Sequence, residues 1–232
     1  MLGLMVDRNL TERLAAAARS MRSQHDVQGT LQRAVELAPE VIKGCDQAGA
    51  SMVRARKRVD TPAATDDVVR RCDQIQYELN EGPCLDAIWH TETVSSADLG
   101  NDDRWPIWGR RVSELGMRSA LCFQLFTDQD NLGALNLYST DLDGFGDDDY
   151  ENGLALAAHV AVALAAAQEV ESLNSAVASR TVIGQAEGIL MERYDLQAEE
   201  AFAVLRRVSQ DSNVKVAEIA SDLVRTRQTP GT

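Results

Sequence analysis

The stretch MRSALCFQLFTDQDNLGALNLYST, residues 117–140, decides the fold of this chain. Its halves, MRSALCFQLF (117–126) and LGALNLYST (132–140), alternate enough to read as two strands, with TDQDN as a polar hairpin turn between them. Upstream, GASMVRA (49–55) is a short strand candidate, RKRVDTPAATD a hairpin or loop edge, and TETVSSADL a strand running into a loop. Helical patterns lie between them. Residues 8–23 place Leu10, Leu14, Ala17, Ala18 and Met21 on one face, and residues 27–43 carry Leu31, Val35, Leu37 and Ile42, with a possible kink at Pro39 and an end at Gly44. Residues 66–78 are helical, EGPCLDAIWH (81–90) starts a short helix after Gly82 with Pro83 in its first turn, and 104–116 reads as a helix closed by Gly116. This order describes an α+β domain in which helices pack around an antiparallel sheet.

Composition bounds the function. The 232 residues are 44% apolar and 25% charged, ordinary for a soluble globular protein of one or two domains. A net charge of −13 argues against a nucleic-acid binder that works by bulk charge. The charge is uneven, however. Residues 180–232 hold seven basic and eight acidic side chains, so −12 of the total lies in residues 1–179. An acidic body with a nearly neutral tail can bind RNA through a local patch. No apolar run approaches the roughly 18 residues of a membrane span, and MLGLMVDRNL lacks the pattern of a signal peptide, so the expected location is the cytoplasm, with no membrane partner. The scattered Cys45, Cys72, Cys84 and Cys122 fit reduced, buried thiols, and His25, His90 and His159 lack metal-ligand spacing. No metal or cofactor is expected.

After the acidic break DLDGFGDDDYEN, an alanine-rich helix runs from about 148 to 194, its start favoured by Asp147, Asp148 and Asp149. Val160, Leu164, Ala167, Val170, Leu173 and Val177 recur along it at three- to four-residue spacing, the pattern of a packing seam. Residues 150–165 are expected to pack on the chain's own sheet. The more polar 168–180 reads as a linker helix forming a short coiled coil in a homodimer. Two more helices follow, about 197–210 and 214–226. Ile183, Ile189 and Leu190 in the first helix would meet Ala201, Phe202, Val204, Leu205 and Val208 in the second, and Ile219, Ala220, Leu223 and Val224 in the third. Such a three-helix unit can make only a small core.

Two resemblances follow from these residues. EGPCLDAI, the MRSALCFQLF–DNLGALNLYS hairpin and FGDDDYENGLALAAHVAVALA resemble a GAF domain. SRTVIGQAEGILMERYDLQAEEAFAVLRRVSQDSNVKVAEIASDLV is similar, over about 45 positions, to an ANTAR domain, the more specific match. The expected layout is an N-terminal helix (1–25), a GAF-like sensor (26–167), the coiled-coil linker (168–180) and an all-α, three-helix ANTAR-like bundle (181–232). The resemblance implies an RNA-binding transcription antiterminator whose paired modules grip paired RNA stem-loops. It does not imply an enzyme, and the sequence holds no phosphate-binding Gly-rich loop, no H-E-x-x-H and no G-x-S-x-G.

Candidate RNA-binding residues are Arg180, Gln185, Gly188, Arg193, Arg206, Ser209 and Lys215. Arg193 matches a basic position of the family and can fork hydrogen bonds to phosphate or answer a helix dipole. Arg206, Arg207 and Lys215 are either patch members or solvated charges. Gly184 and Gly188 stand on one helix face, at a cost of about 0.5–1 kcal/mol each. Two readings compete for that cost: close approach of the neighbouring helices, or close approach of an RNA loop. Glu187 stands where the family usually has lysine, which weakens a phosphate contact or points to gated binding. The alternative function is therefore a protein-interaction regulator that has lost or gated RNA binding. In the sensor, Trp89, Trp105 and Trp108 are either core or the aromatic wall of a pocket for an unknown small molecule.

Overall fold

The computed structural model describes residues 8–24, 26–54, 58–127 and 130–227. The expectations for the N-terminal ten residues, the 56–57 part of the loop edge and the tip of the 127–131 turn fall wholly or partly outside them. The chain divides into two compact units, Met1–Gln168 and Glu169–Thr232.

In the first unit, α1 (Arg8–Arg22) and α2 (Val27–Val41) precede β1 (Gln47–Val53) and β2 (Val59–Ala64). Then come α3 (Asp67–Leu79), α4 (Pro83–Trp89), β3 (Thr93–Ser96), α5 (Trp108–Glu114), β4 (Ser119–Phe126) and β5 (Asn131–Ser139). The strands form one antiparallel sheet in the order β2-β1-β5-β4-β3. The last helix, α6 (Asp147–Tyr194), begins here and ends in the second unit.

Strand alternation sorts the side chains onto two faces. Ala48, Ala50 and Met52 of β1, Leu121, Phe123 and Leu125 of β4, and Leu135 and Leu137 of β5 join one core with α1, α2 and the start of α6. The intervening Ala120, Cys122, Ala134 and Tyr138 join a second core with α3, α4 and α5. All four cysteines are buried and free. The resulting GAF-like sandwich, a five-stranded antiparallel sheet with helices, is followed by the long helix and the C-terminal helices.

Local chemistry sets the helix ends. Asp26 accepts from the Gly29 amide at 2.6 Å and Asp66 from the Val68 amide at 2.8 Å, each supplying an N-cap. Asp149, in the first turn of α6, accepts from the amides of Gly146 (3.1 Å) and Gly44 (3.3 Å). Asn80 closes α3 in the left-handed conformation.

Two expectations need correction. The helix foreseen over 104–116 is only Trp108–Glu114. Glu81 accepts from the amides of both Ile107 and Trp108 at 3.1 Å, capping the helix there, while Asp102 holds Arg104 in the preceding turn. Secondly, α6 is long and apolar enough, by length and composition alone, to cross a membrane. Its alanine content raises the hydropathy, but His159 interrupts the apolar stretch 153–167, and Leu156, Val160 and Leu164 are buried in the core against the sheet.

Candidate functional site

The second unit is built on a small core. Ala186 and Leu190 of α6 meet Ala201 and Leu205 of α7 (Ala198–Ser212) and Ile219, Ala220 and Leu223 of α8 (Val216–Thr226). Asp195 and Asn213 turn the chain between these helices in the left-handed conformation. Glu200 accepts from the Gln197 amide at 2.9 Å at the start of α7. Phe202 and Val204, expected in this core, are instead 40% and 37% exposed. At 100° per residue they flank the Ala201–Leu205 line rather than lie on it.

The glycines resolve differently from the first of their two readings. A Cβ at Gly184 or Gly188 would meet nothing within 4 Å. Both lie on the side of α6 opposite Ala186 and Leu190, and among the described residues no side chain packs against them. Close packing of α7 and α8 is therefore not the reason for them. Their face continues an exposed line formed by Val170, Leu173 and Val177.

The other candidate residues are distributed over three helices. Arg180, Gln185 and Gly188 are exposed on α6. Arg206 is exposed on α7, one turn from Phe202, so an aromatic ring and a guanidinium share a flank that sequence reasoning had split between core and surface. Lys215 is exposed at the N-cap of α8. Two candidates have structural partners. Arg193 donates from Nη2 to the Arg227 carbonyl at 2.9 Å, answering the last carbonyls of α8, and the Ser209 hydroxyl donates to the Val214 carbonyl at 2.6 Å, closing the α7–α8 turn. Glu187 is half-buried beside the glycine face.

In the first unit, the three tryptophans do not converge. Trp105 and Trp108 are buried and meet edge to face with centroids 6.0 Å apart. Their indole N–H groups donate to Asp86 (2.9 Å) and to the Cys72 carbonyl (3.0 Å). Trp89 is 38% exposed at the end of α4.

Sequence reasoning missed a polar cluster sealed between the sheet and α3. Asp73 is fully buried. It accepts from Tyr138 (2.7 Å), Thr61 (2.9 Å), Asn136 (3.2 Å to each oxygen) and Gln76 (3.2 Å). Tyr77 bonds both Thr61 and Ser51 at 2.7 Å, and Ser51 in turn accepts from Asn136 (2.9 Å) and the Cys84 thiol (3.2 Å). Gln76 accepts from the Cys84 amide at 3.0 Å. Gly82 permits this approach, since at its φ of +137° it leaves room where a Cβ would strike the Gln76 side chain. Desolvation pushes the Asp73 carboxyl up to about 6 against the opposing pull of its hydrogen bonds, and burial pushes the Cys84 thiol up to about 12. The signal available in the sequence was period two. Ser51, Asn136 and Tyr138 are polar groups on the face that also carries Ala134 and Cys122.

The sequence model of the GAF domain matches residues 24–165, and that of the ANTAR domain matches residues 171–224. The chain is a GAF–ANTAR protein. Comparison with curated proteins gives no match. Among solved structures, the GAF–ANTAR protein is similar to the GAF domain of a phosphoenolpyruvate-protein phosphotransferase from Coxiella burnetii, at 15% identity and a TM-score of 0.56, over 71% of this chain and 97% of that one. It is also similar to the free methionine-R-sulfoxide reductase of Neisseria meningitidis, at 16% identity and a TM-score of 0.54, over 73% and 98%. The phytochrome photosensory core module of Stigmatella aurantiaca aligns at 11% identity and a TM-score of 0.59, over 90% of this chain and 46% of that one. At these identities the likeness is one of fold. A fold shared by an enzyme and photosensory modules assigns no chemistry by itself. The two domains together give the GAF–ANTAR protein the architecture of a regulator.

Proposed function

We propose that this GAF–ANTAR protein is a signal-responsive, cytoplasmic RNA-binding transcription antiterminator that acts as a homodimer on paired stem-loops in nascent RNA. The observation that carries the reading is the ANTAR match over 171–224, whose three helices present Phe202, Arg206, Lys215 and the Gly184–Gly188 face to solvent. Exposed aromatic and guanidinium groups suit unstacked loop bases, and lysine and arginine suit phosphate. The exposed Val170–Leu173–Val177 line gives a second copy an apolar seam. A signal at the GAF domain shifts the population of pairing states of α6 and so the spacing of two RNA-binding faces.

Glu187 and the charge of −13 favour a second reading, in which the ANTAR module regulates a protein partner instead. Fluorescence-anisotropy titration with an RNA carrying two short stem-loops separates the two. The antiterminator binds this RNA and not a duplex DNA of equal length. Equal affinity for both, or for neither, sinks the RNA reading.

A further inference from the structure

The exposed line formed by Val170, Leu173 and Val177 runs on along α6. Alternating steps of three and four residues carry it through Arg180, Gly184 and Glu187 to Met191 and Tyr194. That alternation averages 3.5 residues, the spacing of a seam between two helices. The line lies wholly within the second unit. Arg180 and Gly184 are exposed, Glu187 and Met191 are half-buried, and Tyr194 at the far end is 49% exposed. Two members are charged. Among the described residues neither Arg180 nor Glu187 forms an ion pair, and two turns of helix, about 10.5 Å along the axis, separate them.

These charges decide what can cover the line. A parallel second copy in register sets Arg180 against the partner's Arg180 and Glu187 against the partner's Glu187, with an unfilled gap where two glycines meet. An antiparallel second copy, about a two-fold axis near Val182, brings unlike residues together. Val170 then faces the partner's Tyr194, and Leu173 faces the partner's Met191. Arg180 faces the partner's Gly184, where the absent side chain leaves space, since a Cβ there meets nothing within 4 Å in its own chain. The partner's Glu187 stands three residues further on, about 4.5 Å along the axis, within reach of the guanidinium. By symmetry the contact occurs twice.

We infer that the RNA-free chain pairs with a second copy through this face of α6, antiparallel, with Arg180 of each chain held by the partner's Glu187. Under that two-fold the line is complementary to itself in charge and in size. The inference rests on the homodimer reading and names its pairing, and it is independent of whether the ANTAR domain binds RNA. In this pair Arg180 and Gly184 are covered, so Arg180 meets phosphate only when the pair opens. Glu187 thus acts first on the pairing of α6, as the group that holds its closed state.

Sedimentation equilibrium of the full chain without RNA tests this with four proteins: the natural chain, Arg180→Glu, Glu187→Arg and the double exchange. Far-ultraviolet circular dichroism checks that each variant keeps its helices. Each single substitution sets like charges together at both contacts and weakens the dimer by roughly tenfold or more, and the double exchange restores it. In a parallel pair all four proteins oppose like charges, so their dimer affinities agree. That result overturns the antiparallel pairing and leaves the homodimer standing. Weakening in both single variants that the double exchange does not reverse overturns the pairing as well. A natural chain that is monomeric at every concentration removes the homodimer reading, and this inference with it.

Discussion

Gly184 and Gly188 are costs that the fold of one chain does not require. Since a Cβ at either position meets open space, Gly184→Ala and Gly188→Ala should each stabilise the C-terminal unit by about 0.5–1 kcal/mol, read from urea unfolding. If the bare face serves RNA or a second copy, the same substitutions weaken RNA binding or dimerisation while raising stability. A gain in stability with every binding property intact would leave the glycines without a role. Asp73 is a second residue whose local cost is larger than its visible contribution. Its folded pKa, about 6, lies above the ordinary 3.8, so the native state holds this proton more tightly than the unfolded chain. Stability is therefore highest when Asp73 is protonated in both states, falls as pH rises from about 4 to about 6, and is level above that window. At neutral pH the ionised form costs on the order of 3 kcal/mol. Nearby Cys72, Cys84, Cys122, Tyr77 and Tyr138 all hold their protons more tightly than usual and titrate well above this range. Asp73→Asn should raise the melting temperature at pH 7 and remove this residue's share of the slope between pH 4 and 6. A variant melting lower at pH 7, with the slope retained, would refute that account.

At the scale of elements, α6 carries two different faces in succession. Its early turns give Leu156, Val160 and Leu164 to the sheet, and its later turns give Ala186 and Leu190 to the three-helix core. Within the second unit, Val170, Leu173 and Val177 are 47%, 60% and 65% exposed, and none of them belongs to a core formed by the described residues. A glutamate at Leu173 therefore disturbs no buried core. Under the homodimer reading, Leu173→Glu should halve the mass measured by light scattering while leaving the far-ultraviolet circular dichroism nearly unchanged. An unaltered mass would move the dimer seam elsewhere or remove it. Leu205 of α7 is the opposite case, 1% exposed in a core of few residues. Leu205→Ala should cost about 2–5 kcal/mol, enough to unfold a unit this small and, under the antiterminator reading, to abolish RNA binding with it. Retention of a cooperative C-terminal transition near the original temperature would show that the core is larger than these contacts.

For the whole molecule, what was legible followed from periodicity, and what was not followed from residues whose partners are distant in sequence. The β4–β5 hairpin, the helix start at Asp147–Asp149 and the breaks after Tyr194 and Asn213 are written locally. The short α5 was not, because the carboxylate that caps it belongs to Glu81. Nor was the Asp73 cluster, whose members come from β1, β2, α3, α4 and β5 and look unremarkable apart. Phe202 was misassigned because an apolar residue one position from a core line is indistinguishable by period alone. Charge is the remaining property of the whole chain, and under the proposed antiterminator reading it sets the terms on which a homodimer would bind RNA. Of the basic candidates, Arg193 already serves the end of α8, which leaves Arg180, Arg206 and Lys215 to meet phosphate. Three such contacts per chain give a slope of log affinity against log salt of roughly −2, or about −4 for a dimer, using the value for single strands. That is shallow, and the net charge of −13 makes it shallower in low salt through repulsion at a distance. Glu187→Lys exchanges a repulsive group for an attractive one beside the glycine face. It should raise RNA affinity and steepen the slope by about 0.7 per chain, leaving duplex DNA unbound. A gain in affinity with an unchanged slope would mean that position 187 acts on the protein's own packing and not on phosphate.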